Sequence, residues 1–318
     1  MTVAVAAPGA SSASAPKRTV APRRVARREG WLRRLPLLPA MVYLIAVTQV
    51  PFLFTIWYSL QSWNLLTPTT KHFAGVSNYT TVFTNSIFRT SLINTVELTA
   101  STVLISMLVG LGLAILLDRK FLGRGVVRTL LITPFLVMPT AAGLLWRTTI
   151  FDPTYGLLNW FLSPFGVHHV AWLSVDPFVS VVIELVWRWS PFMMLIILAG
   201  LQSQPGDVLE AAKVDGAGGF GVFRELTLPH LRPYIELGLL LGSIYVVNTF
   251  GTIYTLTNGG PGNATTNTPY YLYEQAFQNY NIGAAAALGI VTVILTLIVA
   301  SFALRMISSV FRFEGSRP

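Results

Sequence analysis

The chain has 318 residues, of which 53% are hydrophobic and only 11% charged, with a net charge of +9 and no cysteine. A soluble globular domain carries about a quarter of its residues as charges, so this balance excludes one and makes lipid the solvent. The lack of cysteine excludes disulfides, thiolate metal centres and cysteine nucleophiles.

Residues 1–34 are basic, rich in Ala, Ser and Pro and without an apolar run, so a disordered tail is expected there rather than a cleaved leader. Six stretches long enough to cross about 30 Å of hydrocarbon follow. They lie at about 35–60, 91–117, 129–148, 177–200, 234–256 and 284–305, with Arg147, Glu184 and Arg188 interrupting or bordering the third and fourth. Together they predict an all-α polytopic membrane bundle over residues 35–312, followed by a short tail at 313–318. With the N-terminus inside, 18 of the 22 Lys and Arg residues fall on the inner side: before Leu35, in 118–128, in 201–233 and from Arg305 onward. Basic residues are retained on the cytoplasmic side of short loops, so both termini and the loop at 201–233 are expected there. The positive charge is then mainly topogenic, with attraction to anionic lipid headgroups second. It is scattered, without the aromatic interleaving of a nucleic-acid module.

Residues 151–162 begin as a turn and continue as an aromatic, leucine-rich segment. Trp160 and Trp172 suit the headgroup region, where an apolar ring and a polar N–H are both accommodated; a soluble partner on the same surface is a second role. In the fourth stretch Glu184 and Arg188 are spaced i, i+4 with the acid first, the favourable order for a helical pair. An isolated charge at mid-bilayer costs about 2.5–3.5 kcal/mol, so a partner or a wet cavity is required. Two readings stay open: a structural ion pair, or a polar wall facing a solute together with Trp187 and Trp189.

Residues 205–229 form a polar, small-residue island between two apolar stretches. Asp207 stands where an N-cap belongs, with Glu210 three positions on to complete a capping box. Gly216 is suited to the left-handed stop of a short helix. Ala211, Ala212, Ala217, Gly218 and Gly219 offer almost no side-chain bulk, so another protein surface can approach the backbone, with Phe220 and Phe223 as apolar anchors. The island resembles the EAA loop of the membrane subunits of binding-protein-dependent ABC importers, through Glu210-Ala211-Ala212, Asp215-Gly216-Ala217 and Thr227-Leu228-Pro229. The resemblance implies a coupling helix seated on a cytoplasmic ATPase, with Asp207, Glu210, Ala211, Ala212, Asp215, Gly216, Ala217, Leu228 and Pro229 as the coupling residues. Without it, the same residues are an ordinary cytoplasmic helix hairpin.

In the fifth stretch Gly238, Gly242, Tyr245, Asn248, Thr249, Thr252 and Thr255 recur at mainly three- and four-residue spacings, which predicts one shared helical face. Such a stripe serves helix packing or lines a translocation path, and both remain open. As a path, Tyr245, Asn248 and Thr249 hydrogen-bond substrate hydroxyls, joined by Glu184, Arg188 and Trp189 from the fourth stretch. Residues 256–265 are dense in turn formers.

Taken with residues 151–162 and 210–229, and with Tyr273, Ala276, Phe277, Gly283 and residues 284–287, that loop makes residues 35–312 resemble the carbohydrate-uptake branch of ABC permeases. The resemblance implies import of a sugar, sugar alcohol or related polyhydroxy solute across the bacterial cytoplasmic membrane. It implies a second, homologous permease subunit and two ATPase subunits that hold the ATP and Mg. It also implies an extracytoplasmic binding protein facing Tyr155, Asn258, Gly259, Gly260 and Pro261. The chain itself has no phosphate-binding Gly-x-x-x-x-Gly-Lys-Ser/Thr loop and no His and carboxylate cluster, so neither cofactor, metal nor catalytic residue is expected in it. Rival readings are a permease for glycerol phosphate or its diesters, with Arg188 on the phosphate, and an ion-coupled secondary transporter, which usually has internal repeats. A membrane enzyme would need a convergent catalytic set.

Overall fold

The computed structural model describes residues 35–312, so the expected tails at 1–34 and 313–318 lie outside the described residues. The chain divides into two compact units at Phe54 and Thr55. α1 (Leu38–Ser59) has no charged residue and carries Pro51 in its interior.

Within the second unit, β1 (Gln61–Ser62) pairs antiparallel with β2 (His72–Phe73), setting Gln61 opposite Phe73. After α2 (Ser77–Thr84), Asn85 caps α3 (Ser86–Asp118) by accepting the Ile87 amide at 2.8 Å, one of the donors a first turn leaves free. Ser91, Thr95, Leu98, Thr102, Ser106, Gly110, Ala114 and Leu117 of α3 are buried, the spacing of one helical face. Two threonines of α3 return their hydroxyls to their own helix, Thr95 to the Ser91 carbonyl at 2.6 Å and Thr99 to that of Thr95 at 2.7 Å.

α4 (Arg124–Leu136) and α5 (Pro139–Leu145), the latter continued by a wide turn at Trp146–Ile150, are bent by 99°. Pro139 is the physical reason, because its ring disfavours the helical region for the residue before it and Met138 is extended at ψ 134°. Short helices α6 (Leu157–Leu162) and α7 (Trp172–Val175) lead to α8 (Pro177–Gln202). A Cβ on Gly110 of α3 would stand 2.6 Å from Met193 Cβ and 2.8 Å from the Met194 backbone nitrogen, so glycine alone lets these two helices cross this closely. Then follow α9 (Gly206–Val214) and α10 (Gly219–Val222), and α11 (Leu228–Val247) returns through the bundle. Gly238 of α11 faces Met107 and Met193, and Gly242 faces Met193 and Val103. Lipid tails are as apolar as leucine, so it is this close contact that holds membrane helices together. α12 (Gly251–Leu256), α13 (Thr268–Tyr273) and α14 (Ile282–Arg312) complete the described residues, with Ala284, Ala287 and Leu288 packed beside Phe88 and Tyr271.

The six expected spans require a correction. Four of the described helices, α1, α3, α8 and α14, are long and apolar enough to cross by length and composition, and the bent pair makes a fifth. The stretch at 129–148 is therefore broken, and so is the one at 234–256. α11 ends at Val247, and Asn248 and Phe250 leave helical geometry before α12 begins. The side-chain amide of Asn267 supplies the Thr249 carbonyl with the donor that the break removed. Arg232 and Glu236 pair at 2.8 Å in the first half of α11, which lowers its apolarity. The two broken segments meet at small residues: Gly143 of α5 lies against Thr255, and Gly251 of α12 against Pro139 and Thr140.

Candidate functional site in the bundle and its two loop surfaces

α8 sets Glu184, Arg188 and Trp189 on its buried side. One turn apart, Arg188 Nε and Glu184 Oε1 lie 3.5 Å from each other, with the Glu184 side chain 0% exposed. Arg188 Nη2 also donates to Thr252 Oγ1 at 3.3 Å, which ties α8 to α12 beyond the break. Neither Glu184 oxygen receives a hydrogen bond of good geometry, although the Thr252 hydroxyl stands nearby. The pair is thus held by charge rather than by a full set of hydrogen bonds.

Trp189 stacks on Tyr245 of α11, with ring centroids 5.5 Å apart and 24° between planes. Tyr245 is 55% exposed, and Asn248, also exposed, turns its amide back to the Ile244 carbonyl at 2.7 Å. The single face expected for this stretch therefore splits. Gly238, Gly242, Thr249 and Thr252 are buried while Tyr245 and Asn248 are open. The glycines stand at one edge of a buried arc that runs through Leu239, Ser243 and Val246, so Tyr245 falls just outside it; past Val247 the break resets the helical repeat. The structure brings Glu184, Arg188 and Thr252 into one group and Trp189 and Tyr245 into another.

In the loop after α12, Asn258 and Gly259 take left-handed backbone angles, φ +53° and +79°. Gly259 is buried, and a Cβ on it would stand 2.6 Å from the Tyr270 ring, so its place is structural. Asn258 and Pro261 are exposed, Gly260 is half-buried, and Tyr155 is 87% exposed. Asn94 was not singled out in the sequence, yet its amide donates to the carbonyls of Asn263 at 3.0 Å and Thr266 at 2.9 Å. With the Thr268 amide on Thr95 Oγ1 at 2.9 Å, it stitches the loop to α3. An amide side chain in an apolar stretch is the signal that marks it.

Asn159 plays the same part in the loop between α5 and α8. Its Nδ2 donates to the Val170 carbonyl at 3.0 Å and its Oδ1 accepts the Trp172 indole N–H at 3.0 Å. Trp172 therefore spends its polar atom inside the protein, while Trp160 stays exposed as expected for an interfacial ring. The amides of Tyr155 and Thr154 bond the Asp152 carboxylate and hold it below the usual carboxylate range.

In the loop after α8, α9 begins at Gly206 after Pro205, with no side-chain cap, which corrects the expected capping box. Pro205 is already extended, at ψ 125°, and takes the cap position, leaving Asp207 inside the first turn near the positive end of the helix. The stop is as expected. Gly216 has φ +82°, its amide donates to the Lys213 carbonyl at 3.1 Å, and the Ala217 amide donates to that of Ala212 at 3.0 Å. These two bonds define a Schellman motif. Glu210, Ala211, Asp215 and Ala217 are exposed, Ala212 half-buried, and Leu228 and Pro229 begin α11. A Cβ on Gly206, Gly216, Gly218, Gly219 or Gly221 would meet nothing within 4 Å. Val214 and Phe220 are 86% and 76% exposed.

Residues 102–312 match the family described as binding-protein-dependent transport system inner membrane component, and the chain belongs to that family. It is a membrane-embedded permease component, a transport subunit built as an all-α bundle. It is 37% identical to the trehalose/maltose transport system permease protein MalF of Thermococcus litoralis over 275 residues, 85% of this chain and 91% of that protein. Against the sulfoquinovosyl glycerol transport system permease protein SmoG of Agrobacterium fabrum it is 34% identical, covering 86% of this chain and 89% of that one. The sn-glycerol-3-phosphate transport system permease protein UgpA of the same organism is 33% identical over 74% of this chain and 81% of its own length. The fold matches a chain of a bacterial ABC transporter involved in the import of the acidic polysaccharide alginate, with TM-score 0.74 and 22% identity over 90% of this chain and 99% of that one.

Proposed function

We propose that this chain is one of two homologous permease subunits of an ATP-driven importer for a sugar, sugar alcohol or related polyhydroxy solute. A soluble extracytoplasmic protein delivers the solute to the outer loops, at Tyr155, Asn258, Gly260 and Pro261. Two cytoplasmic ATPase subunits, which hold the ATP and Mg, receive the loop at 207–229. The observation that carries the reading is the α9 loop itself: a glycine-stopped helix whose small residues face open space and whose valine and phenylalanine lack cover. An apolar, low-relief surface of this kind fits a cleft in another protein. Closure of the ATPases on ATP would push on α9 and, through α8 and α11, re-space the helices around Tyr245 and Asn248.

A neutral polyhydroxy solute is favoured over a phosphate ester because Arg188 already faces Glu184 at 3.5 Å, so the group carries little net charge toward an anion. The test is hydrolysis of ATP by the assembled complex with its binding protein, in the presence of neutral sugars, polyols or glycerol phosphate. Stimulation by sugars or polyols is expected. In that assay Asn248→Leu should raise the solute concentration for half-stimulation roughly tenfold, because an unpaired buried polar group costs about 1–3 kcal/mol. Stimulation by glycerol phosphate alone would replace the proposal with the phosphate-ester reading.

The orientation has a separate test in this naturally cysteine-free chain. In sealed right-side-out cells an impermeant thiol reagent should label Phe165→Cys but leave Gly218→Cys unlabelled. Labelling of Gly218→Cys would invert the arrangement.

A further inference from the structure

The loop at 204–226 touches the rest of the protein mainly through its two roots, since the glycines along it face open space. The roots meet in one hydrogen-bonded group. Ser203 ends α8, and its Oγ lies 2.8 Å from the Gly200 carbonyl, 3.0 Å from His230 Nε2 and 2.8 Å from the Tyr234 hydroxyl. His230 Nε2 lies 3.2 Å from the same Gly200 carbonyl. One assignment uses every donor. The carbonyl can only accept, so it takes the Ser203 O–H and the His230 Nε2–H, and Ser203 Oγ takes the Tyr234 O–H. Packing reinforces the group, because a Cβ on Gly200 would stand 2.7 Å from both Leu231 Cδ2 and Tyr234 Cδ2. Residues from both ends of the loop, 27 and 31 positions apart in sequence, are thus tied where α8 and α11 cross.

We infer that Ser203, His230 and Tyr234 form a clamp at the base of the ATPase-facing loop that makes the ends of α8 and α11 move together when α9 is pushed. They are positioning residues. They touch neither solute nor nucleotide, and act by preventing the loop from flexing at its roots, where a push would otherwise be lost. One root leads along α8 to Arg188 and Trp189, the other along α11 to Tyr245. This inference rests on the proposed coupling of α9 to an ATPase.

The test is the number of solute molecules imported per ATP hydrolysed, measured in proteoliposomes with the complete complex and its binding protein. Ser203→Ala, which removes the hydroxyl that bonds both the Gly200 carbonyl and Tyr234, should leave hydrolysis within about twofold of the parent and lower import per ATP about fivefold. Tyr234→Phe keeps the ring against Gly200 and should lower it about twofold; it also carries the test if Ser203→Ala does not assemble. Ser203→Thr should restore the parent ratio. An unchanged ratio in assembled Ser203→Ala, or import and hydrolysis falling in proportion in both variants, overturns the clamp. A parent chain that neither co-purifies with ATPase subunits nor imports would instead sink the functional proposal on which it rests.

Discussion

Replacing Glu184 with glutamine is expected to destabilise the bundle by about 3–5 kcal/mol, the effect of leaving one member of a buried ion pair without its counter-charge. Arg188 then keeps a charge beside a neutral amide and the Thr252 hydroxyl, in a place where its side chain is only 8% exposed. Arg188→Gln should be milder. A carboxyl group has a neutral form available to it, whereas a guanidinium stays charged at every accessible pH. The double variant should recover part of the loss, because two amides one turn apart can hydrogen-bond without a desolvated charge. Thermal unfolding of the solubilised, assembled complex measures all three. Losses that simply add in the double variant, with no recovery, would show that the two groups act separately and would reopen a direct role for Arg188 with the solute.

Gly216→Val should lower import at least tenfold while leaving the bundle intact. Its φ of +82° is left-handed, a conformation that costs a side-chain-bearing residue about 1–2 kcal/mol, and more for a β-branched one. Space is not the obstacle, since a Cβ there meets nothing within 4 Å. Substitution with asparagine, which tolerates the left-handed region, separates two explanations. If the backbone angle matters, Gly216→Asn imports within about threefold of the parent, because tenfold corresponds to 1.4 kcal/mol. If a partner's surface needs the bare backbone, Asn and Val fail alike. Uptake and co-purification of the ATPase subunits are the measurements. Parent-like import by Gly216→Val would remove the basis for treating α9 as the coupling element.

Gly216 was legible in the sequence because a helix stop is a local event, written in the residues that make it. The same holds for the pairing of Glu184 with Arg188, since a spacing of four fixes two side chains on one face whatever surrounds them. Asp207 misled because the preceding Pro205 competes for the cap position, and its extended backbone wins. The stripe from Asn248 onward misled for a different reason. Helical periodicity projects a face only as far as the helix continues, and the stop at Val247 depends on Asn267, nineteen positions beyond Asn248, to satisfy the Thr249 carbonyl. The bend at Pro139 carried a proline as its signal, but long apolar composition on both sides concealed it. Asn94 and the group at Ser203 join segments distant in the chain, so a sequence pattern can mark a residue there but not its partners.

Met193 rests in a notch on α11 formed by Gly238 and Gly242, and its backbone abuts Gly110 of α3. Sliding α8 by one turn along α11 would carry that methionine out of the notch and onto Tyr234 or Val246, neither of which leaves room for it. Gly200 against Leu231 and Tyr234 indexes the same pair of helices a second time, nearer the Ser203 end of α8. The three helices are meshed like teeth on a gear and cannot slip past one another without losing these contacts.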